Sequence, residues 1–173
     1  DDAINFSDND PDVAIRFGYG NQPALHSAFM FREQLFPVAS PALLQRLGTP
    51  VEPVELLRFP LLTRDGADLV PKWEIWFKQA GISMSALQES VRFADTNMTI
   101  EAALLGQGIA LARSGHVEKE INDGSLVRLF NLYFPSPAAY YFVCPKGAET
   151  QTHIHHFRDW LLEESRQAQQ NYL

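Results

Sequence analysis

The chain has 173 residues, of which 46% are hydrophobic and 20% charged, the composition of an ordinary globular protein with one domain or two small lobes. Its formal net charge of -7 argues against direct binding to nucleic acid or to an anionic membrane surface, because both require a basic face. No apolar run reaches the roughly 18 residues of a membrane-spanning helix. A single cysteine, Cys144, excludes an intrachain disulfide and is consistent with a cytoplasmic location.

The first predicted strand lies between Asp12 and Gly18, where four apolar residues cluster around one arginine. Such a run predicts a strand buried on both faces, as in parallel sheets that are covered by helices. Arg16 stands near the carboxyl end of this strand, and ligands of open α/β sheets collect outside the carboxyl ends of strands. The segment therefore predicts an α/β fold and a binding site near Arg16 and Gly18.

Strands and helices alternate along the rest of the chain. Further strands are predicted at 25–31, 34–38, 59–63, 90–93, 109–111, 126–130 and 139–143, and helices at 41–47, 53–57, 72–80, 99–105, 117–121 and 150–169. Ser40 and Pro41 suit the start of a helix, and Gly48 and Gly81 suit helix ends. Repeated strand–helix–strand units predict parallel sheets with helices on their faces.

Two segments, 33–40 and 134–138, are predicted to cross between lobes. They would divide the chain into one lobe of residues 1–33 and 137–173 and a second lobe of residues 34–136. A chain that crosses twice encloses a cleft, and clefts between lobes commonly bind small molecules.

Five sequence blocks, taken in order, resemble one protein family. They are residues 12–25, residues 33–43 (EQLFPVASPAL), residues 101–112 (EAALLGQGIALA), residues 124–130 (GSLVRLF) and the final helix with Phe157, Trp160 and Leu161. The pattern is similar to the effector-binding domain of LysR-type transcriptional regulators, in the branch of the glycine-cleavage activator and the β-lactamase regulators. The resemblance implies a two-lobed, type 2 periplasmic-binding-protein-like fold with two lobe crossings.

The resemblance also implies a function. It predicts a bacterial transcription factor that binds a small-molecule effector, which could be anionic, and that works as a homodimer or tetramer without a cofactor, a metal or catalytic residues. The family's N-terminal helix-turn-helix domain, through which DNA would be bound, is absent from this sequence, as is an initial strand–helix–strand of the first lobe. We therefore expect the sequence to be a fragment. Many members also have tryptophan where this chain has Gln22.

Three consecutive cap-type residues, Asp95, Thr96 and Asn97, precede a predicted helix. They could bind a carboxylate through hydroxyl, amide and backbone N–H groups at the start of the helix. They could equally do no more than cap that helix, and both roles can coexist.

The remaining ligand candidates lie in the predicted first lobe. Arg16 could bind an anionic effector through two parallel hydrogen bonds, or form an ion pair with Asp12. Gly18 could allow backbone to approach a ligand or serve a tight turn. Tyr140 and Tyr141 point to opposite faces of a strand, so one at most faces the cleft. The candidate ligand-binding set is therefore Arg16, Gly18, Asp95, Thr96, Asn97, Tyr140 and Tyr141.

Other chemically notable residues fit structural roles better. His153 and His156 share a helical face, but they lack supporting metal ligands and are expected at the surface. A helical stripe of Trp73, Trp76 and Phe77 is typical of a core or a dimer contact, and Cys144 is expected in the core. The Ser114-Gly115-His116 tripeptide has no evident third catalytic partner.

Three classes of function remain open from the residues alone. The first is a metabolite-sensing regulatory domain, and the second a free-standing solute-binding protein of the same fold, which would require a secretory signal. The third is an enzyme on this fold, for which Cys144 would be the only thiol. We expect the first and do not expect an enzyme.

Overall fold

A computed structural model of the protein describes residues 12–20, 22–66, 72–83 and 91–170. The chain divides into two compact units, with Asp1–Arg32 and Pro137–Leu173 in unit 1 and Glu33–Ser136 in unit 2. Within the described ranges, no helix has the length and apolar character needed to cross a membrane.

The secondary structure of the described residues alternates much as predicted. The strands are β1 Ala14–Gly18, β2 Leu25–Phe31, β3 Gln34–Ala39, β4 Leu61–Arg64, β5 Val91–Phe93, β6 Ile109–Arg113, β7 Val127–Arg128, β8 Phe134–Pro135 and β9 Ala139–Pro145. The α-helices are α1 Pro41–Leu47, α2 Trp73–Gln79, α3 Thr96–Leu104, α4 Glu118–Asn122 and α5 Thr152–Gln170. Short 3₁₀ helices occupy Pro53–Arg58, Ser114–His116 and Ala148–Thr150.

Unit 1 contains a three-stranded sheet in the order β1-β9-β2, in which both pairings are antiparallel. The side chains of Met30, Phe142, Cys144 and Ile154 form a buried cluster between this sheet and α5. Cys144 is fully buried, which confirms its predicted place in the core.

The prediction that β1 is a doubly buried strand of a parallel sheet is wrong for the described part of unit 1. β1 pairs antiparallel with β9, and Ile15 is 53% exposed. A short apolar run does not specify strand direction, and an antiparallel strand needs only one covered face.

Unit 2 contains a mixed sheet in the order β5-β4-β6-β3-β7, with β8 also paired to β3. β4 is parallel to both β5 and β6, whereas β3 is antiparallel to β6, β7 and β8. One core cluster packs the sheet against α1 and α2, and another packs it against α3. Trp73, Trp76 and Phe77 are at most 1% exposed, so their predicted core role is confirmed.

Local signals explain some helix boundaries and not others. Ser40 caps α1 as predicted, its Oγ accepting a hydrogen bond from the Leu43 N–H, and Gly48 ends that helix. The helix predicted to begin at Thr99 begins at Thr96, because Asp95 is the residue that caps it. The strand predicted at 126–130 is reduced to β7, and the segment predicted to cross between lobes at 134–138 contributes its first two residues to β8. The beginning of the strand predicted at 90–93 lies outside the described residues.

Candidate functional site

A pocket in unit 2 lies at the carboxyl ends of the parallel strands β4 and β6, next to the start of α3. Its cavity volume is about 20 Å³, close to that of one water molecule, and the remainder of the pocket is open to solvent. Its lining comes from these strands, from α3 and from the turn after β6, and consists of Leu62, Thr63, Arg64, Thr96, Thr99, Ile100, Leu111, Arg113 and His116. The location agrees with the general position of ligand sites in α/β sheets.

The start of α3 places the three predicted cap-type residues differently. Asp95 is the N-cap, and its Oδ1 accepts a hydrogen bond from the Met98 N–H at 2.9 Å. Thr96 lies in the first helical turn and lines the pocket, whereas the side chain of Asn97 is exposed and outside the lining. The structural role is therefore clear for Asp95, while Thr96 is the member of the three that reaches the pocket.

Arg64, the last residue of β4, contributes a guanidinium group to the pocket. Its Nη1 lies 3.5 Å from the Thr96 Oγ1, and its side chain is exposed. Thr99, one turn further along α3, donates from its Oγ1 to the Asp95 carbonyl oxygen at 2.9 Å. A cation and two hydroxyl groups therefore meet at the amino-terminal turn of a helix, whose dipole also favours negative charge.

A second guanidinium, that of Arg113, also lines the pocket. Its Nη1 forms an ion pair with Glu33 Oε2 at 3.2 Å, and the two side chains are only 11% and 3% exposed. Glu33 Oε1 accepts a hydrogen bond from the Gly115 N–H at 3.1 Å. Burial raises the pKa of the Glu33 carboxyl, and the Arg113 charge and the Gly115 hydrogen bond partly offset this rise.

His116 lies beside Arg113 in the same lining. Arg113 Nη2 is 3.0 Å from His116 Nε2, and because a guanidinium can only donate, this nitrogen must carry a lone pair. Burial, with smaller contributions from the charges of Arg113 and Arg64, lowers the His116 pKa to about 4. His116 is therefore neutral at physiological pH, and the pocket gains no positive charge from it.

In unit 1, the structure brings Arg16 and Tyr141 onto one face of the sheet. They are register partners across β1 and β9, and Tyr141 is also the partner of Phe29, with ring centroids 5.8 Å apart. Phe29 is 51% exposed, and Arg16 and Tyr141 are half-buried. These three side chains form a partly exposed face with one cation, one phenol and one phenyl ring.

Tyr140 points to the opposite face, as the alternation of a strand requires. Its ring lies 4.9 Å from that of Phe17 and 4.6 Å from that of Phe31, in the aromatic margin of the unit 1 core. The packing therefore assigns the core position to Tyr140 and leaves Tyr141 as the tyrosine of the Arg16 face.

Gly18 and Gly20, the two glycines near the end of β1, differ in the space available for a Cβ atom. Gly18 ends β1, and a Cβ atom there would meet nothing within 4 Å. Gly20 has a φ of +78°, and its Cβ would lie 2.4 Å from the Tyr141 ring. The close approach that a glycine permits here is thus to Tyr141, and it involves Gly20 rather than Gly18.

Of the pocket lining, the sequence predicts only Thr96; the charged or titratable residues that it does not predict for this site are Glu33, Arg64, Arg113 and His116. Arg64 and Arg113 carry the same signal that singled out Arg16, because each ends a short apolar strand. Glu33 has no comparable signal, since its proximity to Arg113 depends on the pairing of β3 with β6. His116 is near Arg113 because it lies three positions later in the turn after β6.

Other chemistries find little support in the described part of the chain. No group of three or more His, Cys, Asp or Glu residues there could hold a metal ion, and His153, His155 and His156 are exposed on α5. Burial raises the pKa of the Cys144 thiol, which disfavours its reactive thiolate form.

Comparison with known proteins places this fold in a family. Residues 5–166 match the LysR substrate binding domain. The chain is 33% identical over 168 residues to the glycine cleavage system transcriptional activator of Escherichia coli K12, covering 95% of this chain and 53% of the relative. It is 29% identical over 161 residues to the transcriptional activator AmpR of Citrobacter koseri, covering 93% of this chain and 53% of the relative. The chain thus spans about half the length of the curated relatives it matches.

Solved structures give the same result. The effector domain of the transcriptional regulator AmpR from Pseudomonas aeruginosa superposes with a TM-score of 0.74 and 27% sequence identity, over 93% of this chain and 75% of that one. The AmpR effector binding domain from Citrobacter freundii gives a TM-score of 0.72 at 22% identity, over 90% of this chain and 75% of that one. Since the family match covers nearly the whole sequence, the chain belongs to the LysR substrate binding domain family and has its mixed α/β, type 2 periplasmic-binding-protein-like fold.

Proposed function

We propose that this chain is the effector-sensing part of a cytoplasmic, bacterial LysR-type transcriptional regulator. Its relatives are named as transcriptional activators and are about twice as long. The regulator would bind DNA through a helix-turn-helix domain outside this sequence, which agrees with the acidic net charge of -7 of the chain itself. It would act as a homodimer or tetramer whose arrangement responds to the effector.

The effector is a small molecule with a carboxylate or similar anionic group, which binds in the unit 2 pocket. The observation that carries this proposal is the convergence of Arg64 and Thr96 at the carboxyl end of β4, where the first turn of α3 begins. An anion there would accept hydrogen bonds from the guanidinium and the hydroxyl and would lie near the positive end of the helix dipole.

Unit 1 carries a separate candidate set, namely Arg16 and Tyr141, with Gly18 leaving room beside them. Asn97 is retained as a candidate through its backbone at the first turn of α3. Tyr140 is proposed to support the Tyr141 strand by packing rather than by contact with the effector.

Calorimetry and thermal shift against a panel of amino acids, organic acids and muropeptides test this proposal on the protein as its gene encodes it. Thr96→Val removes one hydroxyl at nearly constant volume and is expected to weaken binding of the anionic ligand about tenfold. Thr49→Val, at an exposed loop position, is the matched control. The affinities of Arg64→Ala and Arg16→Ala for the ligand then show whether the unit 2 pocket or the unit 1 face binds it.

Affinity that is unchanged in both Thr96→Val and Arg64→Ala would refute the unit 2 pocket. A ligand that binds only through Arg16 would move the site to the unit 1 face. The alternative hypothesis, a free-standing solute-binding protein, predicts that the gene encodes a secretory signal upstream of this sequence. The regulator hypothesis predicts a helix-turn-helix segment there.

A further inference from the structure

The buried carboxylate of Glu33 stands directly behind the pocket without lining it. One guanidinium, that of Arg113, lies between this carboxylate and the pocket side, with Nη1 at 3.2 Å from Glu33 Oε2 and Nη2 at 3.0 Å from His116 Nε2. The proposed anion contact does not use Glu33, although its carboxylate occupies a nearly solvent-free position beside Arg113. A buried charge is costly unless its partner and hydrogen bonds are well placed.

The backbone fixes Glu33 at both ends. Its carbonyl oxygen accepts a hydrogen bond from the Ser136 N–H at 2.8 Å, and its Oε1 accepts one from the Gly115 N–H at 3.1 Å. A Cβ atom on residue 115 would lie 2.7 Å from Glu33 Oε1, so any other residue there would displace the carboxylate from its present position. The position of this negative charge is therefore set by the fold and does not depend on a bound ligand.

The charges of the lining and its direct partners are few. Arg64 and Arg113 are positive, His116 is neutral, and Glu33 is negative and paired with Arg113. Within this set the uncompensated positive charge lies on Arg64; the Asp95 carboxylate, which caps α3, lies outside the lining. A second negative charge on the ligand would meet Arg113 with its own charge already compensated.

We propose that Glu33 is a positioning residue that determines the charge specificity of the pocket, a proposal that rests on the anion site proposed above. It holds Arg113 and compensates its charge, so that the pocket selects a singly charged carboxylate over a doubly charged anion. Removal of the Glu33 charge would favour a dianion more than a monoanion, because the dianion interacts with the uncompensated Arg113 through twice the charge. At the separation expected across one guanidinium, this difference is roughly tenfold in relative affinity.

The test uses acetate and sulfate as probes at constant ionic strength, on the protein as its gene encodes it. Affinities are read from NMR shifts of the backbone amides of Thr96, Thr99 and Gly115. Glu33→Gln keeps the shape of the side chain and an oxygen acceptor for Gly115 but removes the charge. Glu74→Gln, at an exposed position of α2 outside the lining, is the matched control.

The expected result is a roughly tenfold shift in preference towards sulfate in Glu33→Gln and none in Glu74→Gln. A preference that stays the same in Glu33→Gln, with both probes bound, overturns the role of Glu33 while leaving the anion site intact. If neither probe perturbs these amides in any variant, the anion site itself fails and the role of Glu33 with it.

A double variant separates the effect of charge on the preference from any effect of Glu33→Gln on folding. Removing both charges, with Glu33→Gln and Arg113→Gln together, leaves Arg64 as the net positive charge and is expected to keep the preference of the original protein. A merely structural role of Glu33 predicts no relation between the preference and the net charge, and a large shift in the double variant would contradict the proposal.

Discussion

His116 provides the sharpest prediction, because its environment opposes protonation from several directions. The folded protein lowers its pKa from 6.5 to about 4, chiefly through burial and secondarily through the charges of Arg113 and Arg64. In the unfolded chain the ordinary value returns, so between these two pH values the unfolded state binds more protons than the folded state. Stability must therefore increase with pH across this window.

The magnitude follows from the size of the change in pKa. A drop from 6.5 to about 4 corresponds to about 3.5 kcal/mol, at about 1.4 kcal/mol per pKa unit. His116 retains some contact with solvent, and screening reduces the expected contribution to about 2 kcal/mol. This contribution is present in full above pH 6.5 and is lost as the pH falls through about 4.

Urea denaturation of the original protein and of His116→Gln, between pH 4 and pH 7.5, isolates this contribution. Glutamine offers Arg113 an acceptor but cannot be protonated, and the raised pKa of Glu33, which acts in the opposite direction, is common to both proteins. The two buried tryptophans of unit 2 report its unfolding through fluorescence. His153→Gln, at an exposed position of α5, controls for the loss of a histidine as such.

The difference in the free energy of unfolding between the original protein and His116→Gln is expected to fall by about 2 kcal/mol on acidification. A difference that stays constant between pH 6.5 and pH 4 would refute the reasoning. So would an NMR titration in which the His116 ring protonates with a pKa near 6.5.

Substitutions at Gly108, Asp95 and Trp73, with matched controls at Gly18 and Asp95, test packing, capping and hydrogen bonding near the site through the free energy of unfolding in urea. Gly108→Ala would place a Cβ atom 2.5 Å from the Pro60 carbonyl oxygen and is expected to cost about 2 kcal/mol or more, whereas Gly18→Ala, with open space around it, should change stability by less than about 0.5 kcal/mol. Asp95→Ala should cost about 1 kcal/mol and Asp95→Asn much less, because asparagine also caps helices; equal losses would contradict the capping role. Trp73→Phe removes the hydrogen bond that its Nε1 donates to the β4 backbone at 3.0 Å and should cost about 1 to 2 kcal/mol; a neutral result would show that this bond contributes nothing.

The parts of the fold that sequence predicts well are those specified by neighbouring residues. α1 is an example, because Ser40, Pro41 and Gly48 mark its cap, its first residue and its end. The start of α3 shows the limit of such signals: Asp95, Thr96 and Asn97 can all cap a helix. Only Asp95 has the extended backbone, with φ -143° and ψ 170°, that makes it the cap.

Pairing between distant strands is the information that the sequence leaves out. Glu33 and Arg113 are 80 positions apart in the sequence, and the register of β3 with β6 brings them together. Neither residue is distinctive by itself, because Glu33 is an acid that precedes strand β3 and Arg113 is a base at the end of strand β6. The buried ion pair and the compensation of the Arg113 charge both depend on that register.

Among the described strands that end in, or close to, an arginine, β1, β4 and β6 show how strand direction decides whether the arginine lies at a ligand-binding edge. Arg64 and Arg113 end the parallel strands β4 and β6, whose carboxyl ends meet at one edge of the sheet beside the start of α3. Arg16 lies in β1, whose neighbour β9 is antiparallel, so the carboxyl ends of β1 and β2 at that edge are separated by the start of β9. The rule that ligands collect at carboxyl ends therefore applies with force to β4 and β6 and only weakly to β1. For this reason the anion proposal rests on Arg64 and Thr96, with Arg16 and Tyr141 as a separate set that the Arg16→Ala and Arg64→Ala comparison can rank.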